Sequence, residues 1–352
     1  MADQLKIGYL GLNDAAPIIM AKELDLYAKY ELDVHLVRQN SWSTLRDRLH
    51  MGDIHAAHML APMPLASSLG LGCESTDIFT PMVLSLNGNA ITLSTAVVEE
   101  IKQSNQLKEI VYPLDASLLK AVVEQRHKRK KQKLRLAHVF PFSCHHYQLL
   151  DWLKRGGVNQ EDIEFHVLPP HDMHFNLNDQ IIDGYCVGGP WNAQAVREGT
   201  GITVATSCDI WGDAAEKVLG ISYATYESRP EVFQRLINAL LESCYWLDSP
   251  AHRFDASVVL SSPTYLNAPL DVVCPSLMGI CLTERGSPSR DLPNYNIFGN
   301  KDNKLNIPNV ADAHTFSTYM YSQHYIAALP SEQYLSQIYR SDLISKFALD
   351  WD

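Results

Sequence analysis

No stretch of this chain approaches the ~18 uninterrupted apolar residues that a membrane-spanning helix requires, so nothing in it is expected to cross a bilayer. Positive charge is scarce as well. The 29 Lys and Arg stand against 40 Asp and Glu, a formal net charge of −11, which argues against a general nucleic-acid or membrane binder. The 7 cysteines (residues 73, 144, 186, 208, 244, 274 and 281) are odd in number and lack CxxC spacing. That suits reduced thiols better than a disulfide framework. No HExxH and no paired CxxC offers a metal cage, so no metal and no cofactor is expected. The opening "MADQLKIGYLGL" has no basic region, no long apolar core and no small-residue cleavage site. If that start is the native one, the expected location is the cytoplasm.

What is present is an ordinary globular composition, 46% hydrophobic and 20% charged, in a chain of 352 residues, long enough for two domains or two lobes. Short apolar runs alternate with helical patterns. Residues 5–10, 32–37, 54–57, 82–86 and 90–93 read as strands, with helices over 16–27 and 43–51. The pattern resumes with strands at 134–139, 163–167, 184–187 and 202–206 and helices at 145–154 and 191–198. Such alternation predicts an α/β fold of parallel sheets covered by helices, and two successive groups predict two lobes. Beyond Arg229 the chain reads as mainly helical, apart from a Pro/Gly/Asn-rich stretch at 286–309. The single basic cluster, "RHKRKKQK" at 126–133, reads as a solvated helix end.

The stretch "VFPFSCHHYQLLDWLKRGG" places Cys144, His145 and His146 where a helix begins. Read from the residues alone, four roles are open: metal ligands, a nucleophile with its base, donors to an anion, or ordinary surface residues. Adjacent helical residues point about 100° apart, which disfavours a shared metal, although His171 and His174 at i, i+3 keep that reading open. No partner base or oxyanion hole is recognisable for a Cys nucleophile. The first turn of a helix leaves N–H groups free and carries partial positive charge, so an anion binds there readily.

Other stretches carry a resemblance. "GYLGLNDAAPIIMAKELDLYAKYELDVHL", "NSWSTLRDRLHMGDIHAAHMLAPMPLA", "LSLNGNAITLS", "VFPFSCHHYQLLDWLKRGGV" and "DGYCVGGPWNAQAV" occur in this order. Together they resemble the nitrate- and bicarbonate-binding proteins of ABC uptake systems, closely over roughly residues 5–250 and more loosely beyond. The resemblance implies a two-lobed periplasmic-binding-protein-like fold of type II with a helical C-terminal extension. Its expected organisation is a first part of lobe I over 1–92, lobe II over 93–206, and a return to lobe I plus the helical region over 207–352. It implies a binding protein with no catalytic residues. The enzymes of thiamine pyrimidine synthesis share the general fold, but the Cys-rich motif they use is not found here.

The same resemblance implies a nitrate site lined by a Trp, an amide, a His and a Lys. These fall on Trp42, Asn89, His145 and Lys217, with Gly189 beside them. Nitrate offers only acceptors, so an indole N–H, an amide NH₂, an imidazole N–H and an ammonium suit it, with Lys217 as the compensating charge. Two positions depart from the family pattern. Asn89 is one methylene shorter than the usual Gln, and Gly189 of "CVGGPW" replaces the acidic residue of "VGEPW". The shorter Asn89 must sit nearer its ligand or act through water. The loss of an acidic group at Gly189 and the presence of Lys217 are read as favouring an anion without a proton, nitrate or nitrite, over bicarbonate. The family also contains a cytoplasmic nitrate/nitrite sensor of the NasS type, which holds an RNA-binding antiterminator of the NasT type inactive until the anion binds. The absence of a leader makes that sensor the expected role, with no direct contact to nucleic acid or membrane. The alternative is the binding component of an uptake system lacking its signal peptide.

Overall fold

A computed structural model describes residues 2–300 and 304–347. It contains a six-stranded sheet with strand order β13-β4-β10-β3-β1-β2 and a five-stranded sheet with order β7-β6-β8-β5-β9. The strands are β1 (Asp3–Leu10), β2 (Leu32–Gln39), β3 (Ala56–Leu60), β4 (Ile78–Asn87), β5 (Asn89–Ser94), β6 (Leu134–His138), β7 (Ile163–Val167), β8 (Gly184–Gly188), β9 (Gly201–Thr206), β10 (Ala215–Ser222), and the short β11 (Ile280–Cys281), β12 (Arg290–Asp291) and β13 (Asn296–Ile297). The two lobes are thus a α/β pair, and no helix among the described residues is long and apolar enough to cross a membrane.

The sheets are mixed, which corrects the expectation of parallel sheets. β1 runs parallel to β2 and β3, and β6 runs parallel to β7 and β8. β10 runs antiparallel to β3 and β4, while β5 runs antiparallel to β8 and β9. The reason lies in the connections. These antiparallel strands border the passages between lobes, and a chain that leaves one sheet and returns enters it from the opposite end. The outward passage is a single residue, Gly88, between β4 and β5. It has φ +96°, and a Cβ there would lie 2.5 Å from Asn296 Oδ1, so only glycine fits. The return runs from Thr206 to Ala215.

β10 escapes the pattern of apolar runs because Glu216 and Lys217 interrupt it, although all eight of its residues are buried. The mixed character of the core follows. One apolar cluster lies behind the first sheet (Leu5, Ile7, Phe79, Leu219, Phe233), and another fills the second lobe (Ile91, Leu136, Trp152, Val204). A third spans the junction, joining Trp42, Met59 and Leu60 to Val139, Tyr147 and Tyr185. At about 1.5–3 kcal/mol per fully buried large apolar side chain, this shared cluster holds the lobes together.

The C-terminal region is helical as expected, except for the β11–β12 pair and for β13, which extends the first sheet from inside the Pro/Gly/Asn-rich stretch. The helix Val310–Ser322 and the segment after it form a strap across both lobes. On the second lobe Tyr319 stacks on Tyr147 (ring centroids 4.5 Å apart, 8° between planes), and its hydroxyl donates to Asp151, which also accepts from Trp211 Nε1 at 2.7 Å. On the first lobe the Tyr339 hydroxyl donates to Ala61 O at 2.6 Å, and Tyr334 donates to Ser68 O at 3.3 Å. The basic run ends the helix Ser117–Lys128, and Arg126 there pairs with Glu100 and Asp183. Replacing Asp151 with Ala strands the Trp211 and Tyr319 donors, and the expected loss is about 1–3 kcal/mol of stability. Urea unfolding of the two proteins measures it, and Tyr319→Phe is expected to lose less.

Candidate functional site

Four of the five expected site residues are fully or almost fully buried side chains: Trp42 is 1% exposed and Asn89, His145 and Lys217 are 0%. Each is placed by a recognisable local device. Ser41 caps the helix Trp42–His50 by accepting from the Thr44 N–H at 3.2 Å, which puts Trp42 in the first turn. Ser143 does the same for the helix Cys144–Arg155, accepting from the His146 N–H at 3.1 Å. His145 therefore stands at a helix start on the second lobe, while Lys217 comes from β10 of the first.

The centre of the cluster is the Lys217 ammonium. It donates to Asp14 Oδ2 at 2.7 Å and to Glu216 Oε1 at 2.9 Å, and lies 5.6 Å over the Trp42 ring. His145 Nδ1 is 3.4 Å from the same Glu216 oxygen. His58, from β3, lies 3.1 Å from Asp14 Oδ1, with its ring 5.7 Å from that of Trp42. Trp42, His145 and Lys217 are thus brought together. Asn89 is at the edge: its Nδ2 donates to Gln148 Oε1 at 3.1 Å, and it meets the cluster where the β8 backbone at Gly188 faces both Asn89 Oδ1 and Asp14 Oδ2. Gly189 takes part only through its backbone, accepting from the Asn13 N–H at 2.8 Å and donating to Gly88 O at 3.1 Å. A Cβ at 189 would come within 2.7 Å of Ser276 Oγ and 3.1 Å of Asn13 Nδ2, so an acidic side chain there would displace both.

Two expectations change. Lys217 is not a free compensating charge, because two carboxylates already hold it. Nor is the cleft poor in acceptors, since Asp14 and Glu216 line it. Glu216 was hidden by strand alternation, which sends neighbours to opposite faces. The pairing of β10 with β4 shifts between Ala215 and Lys217 and again between Lys217 and Val218. That bulge lets Glu216 and Lys217 reach one ammonium–carboxylate contact. Asp14 and His58 lie inside motifs that carry the family resemblance, Asp14 just before an apolar helix ("NDAAPIIMA") and His58 alone in an apolar run ("AAHML"), which was the available signal. Cys144 is buried, its thiol donating to Ala215 O at 3.5 Å, and burial pushes that thiol up, away from nucleophilic use. Of the histidines considered as metal ligands, His145 lies beside Glu216, His146 packs edge-on against His138 (4.1 Å), His171 is 3.0 Å from Asp172 and His174 is 3.1 Å from Glu198.

Burial alone would raise the Asp14 pKa, but Lys217 and His58 hold it well below the usual carboxylate range. Burial would lower that of Lys217, and the two carboxylates raise it instead. Burial and the nearby ammonium keep His145 neutral, and burial keeps His58 neutral despite Asp14. Glu216 is the poised group. Burial outweighs the pull of Lys217 and pushes it up to about 7. Several buried polar atoms in the cluster and at its edge have no hydrogen-bond partner: Trp42 Nε1, the ring nitrogens of His58 and His145, Asp14 Oδ1, Asn89 Oδ1 and Glu216 Oε2. A buried N–H or carboxyl without a partner costs about 1–3 kcal/mol, so this arrangement suits a small polar guest.

A family model described as the NMT1-like family matches residues 2–261. The chain belongs to the NMT1-like family. It is 35% identical over 278 residues to the nitrate import ATP-binding protein NrtC of Synechocystis sp., covering 78% of this chain and 39% of that protein. It is 31% identical over 275 residues to the nitrate/nitrite binding protein NrtA of Nostoc sp., covering 76% of this chain and 59% of that one. The chain therefore spans less than two thirds of the length of these two relatives. Its fold matches the crystal structure of the periplasmic nitrate-binding protein NrtA from Synechocystis PCC 6803 with a TM-score of 0.89, at 26% identity, over 98% of this chain and 88% of that one.

The Glu216 shift has a definite sign. Its folded pKa of about 7 lies above the ordinary 4.5, so between those values the folded protein keeps a proton that the unfolded chain has released. Stability conferred below pH ~4.5 is then lost as the pH rises through ~7, and is level above. Glu216→Gln removes that loss. Urea midpoints measured at pH 5, 6, 7 and 8 are expected to fall for the parent up to about pH 7 and then level off, while the variant lacks that fall.

Proposed function

We propose that this chain binds nitrate or nitrite between its two lobes, with Trp42, His145 and Lys217 around the anion, Asn89 at its edge and the Gly189 backbone behind. The observation that carries this reading is the fully buried Lys217 ammonium at the lobe junction, flanked by the unpartnered N–H of Trp42 and the unpartnered ring of His145. A planar monovalent anion that accepts from every side fits such a set. The names of the NrtA and NrtC relatives and the likeness to the NrtA structure support the same ligand. The role is that of a binding protein. Its polar groups serve recognition, and the buried Cys144 thiol lacks the electropositive, accessible setting of a nucleophile.

Calorimetry with nitrate, nitrite, bicarbonate and sulfate tests the ligand. Nitrate and nitrite are expected to bind. Bicarbonate should bind more weakly, and sulfate, whose second charge meets no second cation, should not bind. Trp42→Phe keeps the packing and deletes one donor, so nitrate affinity should fall by roughly 5- to 30-fold, about 1–2 kcal/mol. Unchanged affinity in that variant would remove Trp42 from the site.

The finer reading is a cytoplasmic sensor that releases an antiterminator of the NasT type when the anion binds. The seven free thiols, four of them buried, support a reducing compartment. A ligand gripped from both lobes favours the closed state only through its differential affinity, and a regulator that fits one state is coupled to it by ~1–3 kcal/mol, or 5- to 150-fold. The second reading, a component of an uptake system, is favoured by the import functions named for the relatives. Mixing the chain with an antiterminator encoded beside it, with and without nitrate, separates the two. A complex that nitrate dissolves supports the sensor, and no complex in either condition supports uptake.

A further inference from the structure

The charges around Lys217 do not leave room for an anion as they stand. Asp14 and Glu216 are two carboxylates on one ammonium, at 2.7 and 2.9 Å, and all three side chains are at most 2% exposed. With both acids ionised the group already carries one net negative charge, and a bound monovalent anion would make it two inside a site closed to water. Among the described residues no other cation faces Glu216. Its neighbours are Lys217 and Asp14, the neutral imidazole of His145 from the second lobe, and the Cys144 and Cys186 thiols. His58 reaches the cluster through Asp14, and His138 lies behind His145.

Asp14 Oδ1 and Glu216 Oε2 both lack a hydrogen-bond partner, and the two acids differ in what stands beside the open oxygen. Asp14 holds Lys217 through one oxygen and lies 3.1 Å from His58 through the other. Glu216 Oε1 bonds Lys217, and Oε2 is buried with no partner. A proton on Oε2 converts a repelling acceptor into a donor, leaves the Asp14–Lys217 pair intact, and removes one negative charge as the ligand brings one in. The proton is not expensive at this position, since burial already lifts Glu216 to about 7.

We propose that the site takes a monovalent oxyanion together with one proton, and that Glu216 is the residue that accepts it. The exchange balances: the anion and a solvent proton enter, and Glu216 passes from carboxylate to carboxylic acid with no change in the net charge of the cluster. This inference rests on the anion-binding reading above and deepens it. Glu216 becomes a specificity-determining residue. It admits an anion that only accepts hydrogen bonds when protonated, and it refuses a dianion, which would need a second proton from a cluster whose remaining acid, Asp14, is tied to Lys217.

Calorimetric titration of nitrate in cationic buffers of differing ionisation enthalpy (Tris, imidazole, bis-Tris) counts the protons. At pH 8 close to one proton should be taken up per nitrate, falling towards zero at pH 6, and affinity should drop by up to 10-fold per pH unit above 7. In Glu216→Gln the uptake at pH 8 should vanish and the affinity should become level between pH 6 and 8. Nitrate binding by the parent with equal affinity at both pH values and no buffer dependence would overturn the proton model while leaving the ligand assignment intact. Uptake that persists in Glu216→Gln would move the proton to a histidine and overturn the role of Glu216. No nitrate binding at any pH would overturn the ligand assignment and the proton model with it. The buffer dependence of the parent protein decides the matter even if the variant does not fold.

Discussion

A lysine ammonium with no exposure to water can exist only if its partners are already in place, and the junction of this protein is organised by that requirement. Each buried ion carries a desolvation penalty of several kcal/mol, which mutual attraction offsets only with good geometry. Here Asp14 follows β1, Glu216 and Lys217 share the bulge of β10, and His145 opens a helix of the other lobe. The ion cluster therefore forms only when the first sheet, the return passage and the lobe contact are all made. Apolar packing brings these elements close, but the charges choose the register in which they meet.

The same junction explains the two glycines that depart from a simple reading of the chain. Gly88 lets the backbone pass from sheet to sheet in one residue, at a φ that side chains resist. Gly189 lets Asn13 approach, and Asn13 in turn donates from its side chain to Val273 O and Ser276 Oγ, at 2.9 and 2.7 Å. Asp14 is thereby fixed by its neighbour. A carboxylate at 189 would push against Ser276 and Asn13, the residue that precedes Asp14. The structure has its acids on β10 and after β1 instead.

Much of this architecture is legible in the residues, and the illegible part has a physical cause. β7 is read as residues 163–167, and the helix Trp191–Glu198 lies between Pro190 and Gly199, because apolar runs and breakers mark them. β10 goes unread because its two charged residues break the apolar signal, and their shared orientation contradicts alternation. The direction of β5 and β10 was equally hidden, since periodicity says nothing about which end of a sheet a strand enters. Trp42, His145 and Lys217 are found through the family resemblance and do lie together, whereas Asp14, His58 and Glu216 are polar residues whose meaning appears only once three elements converge. Asn89 is found where expected, but its amide N–H is directed to Gln148.

The helix Cys144–Arg155 is twelve residues long, and both ends of its story matter. His145 is in its first turn, while Tyr147 and Asp151, one and two turns on, bear the stacking and the hydroxyl of Tyr319 from the C-terminal strap. A helix this short moves as a rod. Rotating the second lobe away from Lys217 must pull Tyr147 and Asp151 from the strap in the same motion, because the strap is tied to the first lobe by Tyr334 and Tyr339. Those contacts belong to the closed arrangement and are lost on opening, so they favour closure from outside the site and add to the hold that the residues around Lys217 exert. The grip on a guest is thus set partly by residues that never touch it, and the strap can be tuned without altering the side chains around Lys217.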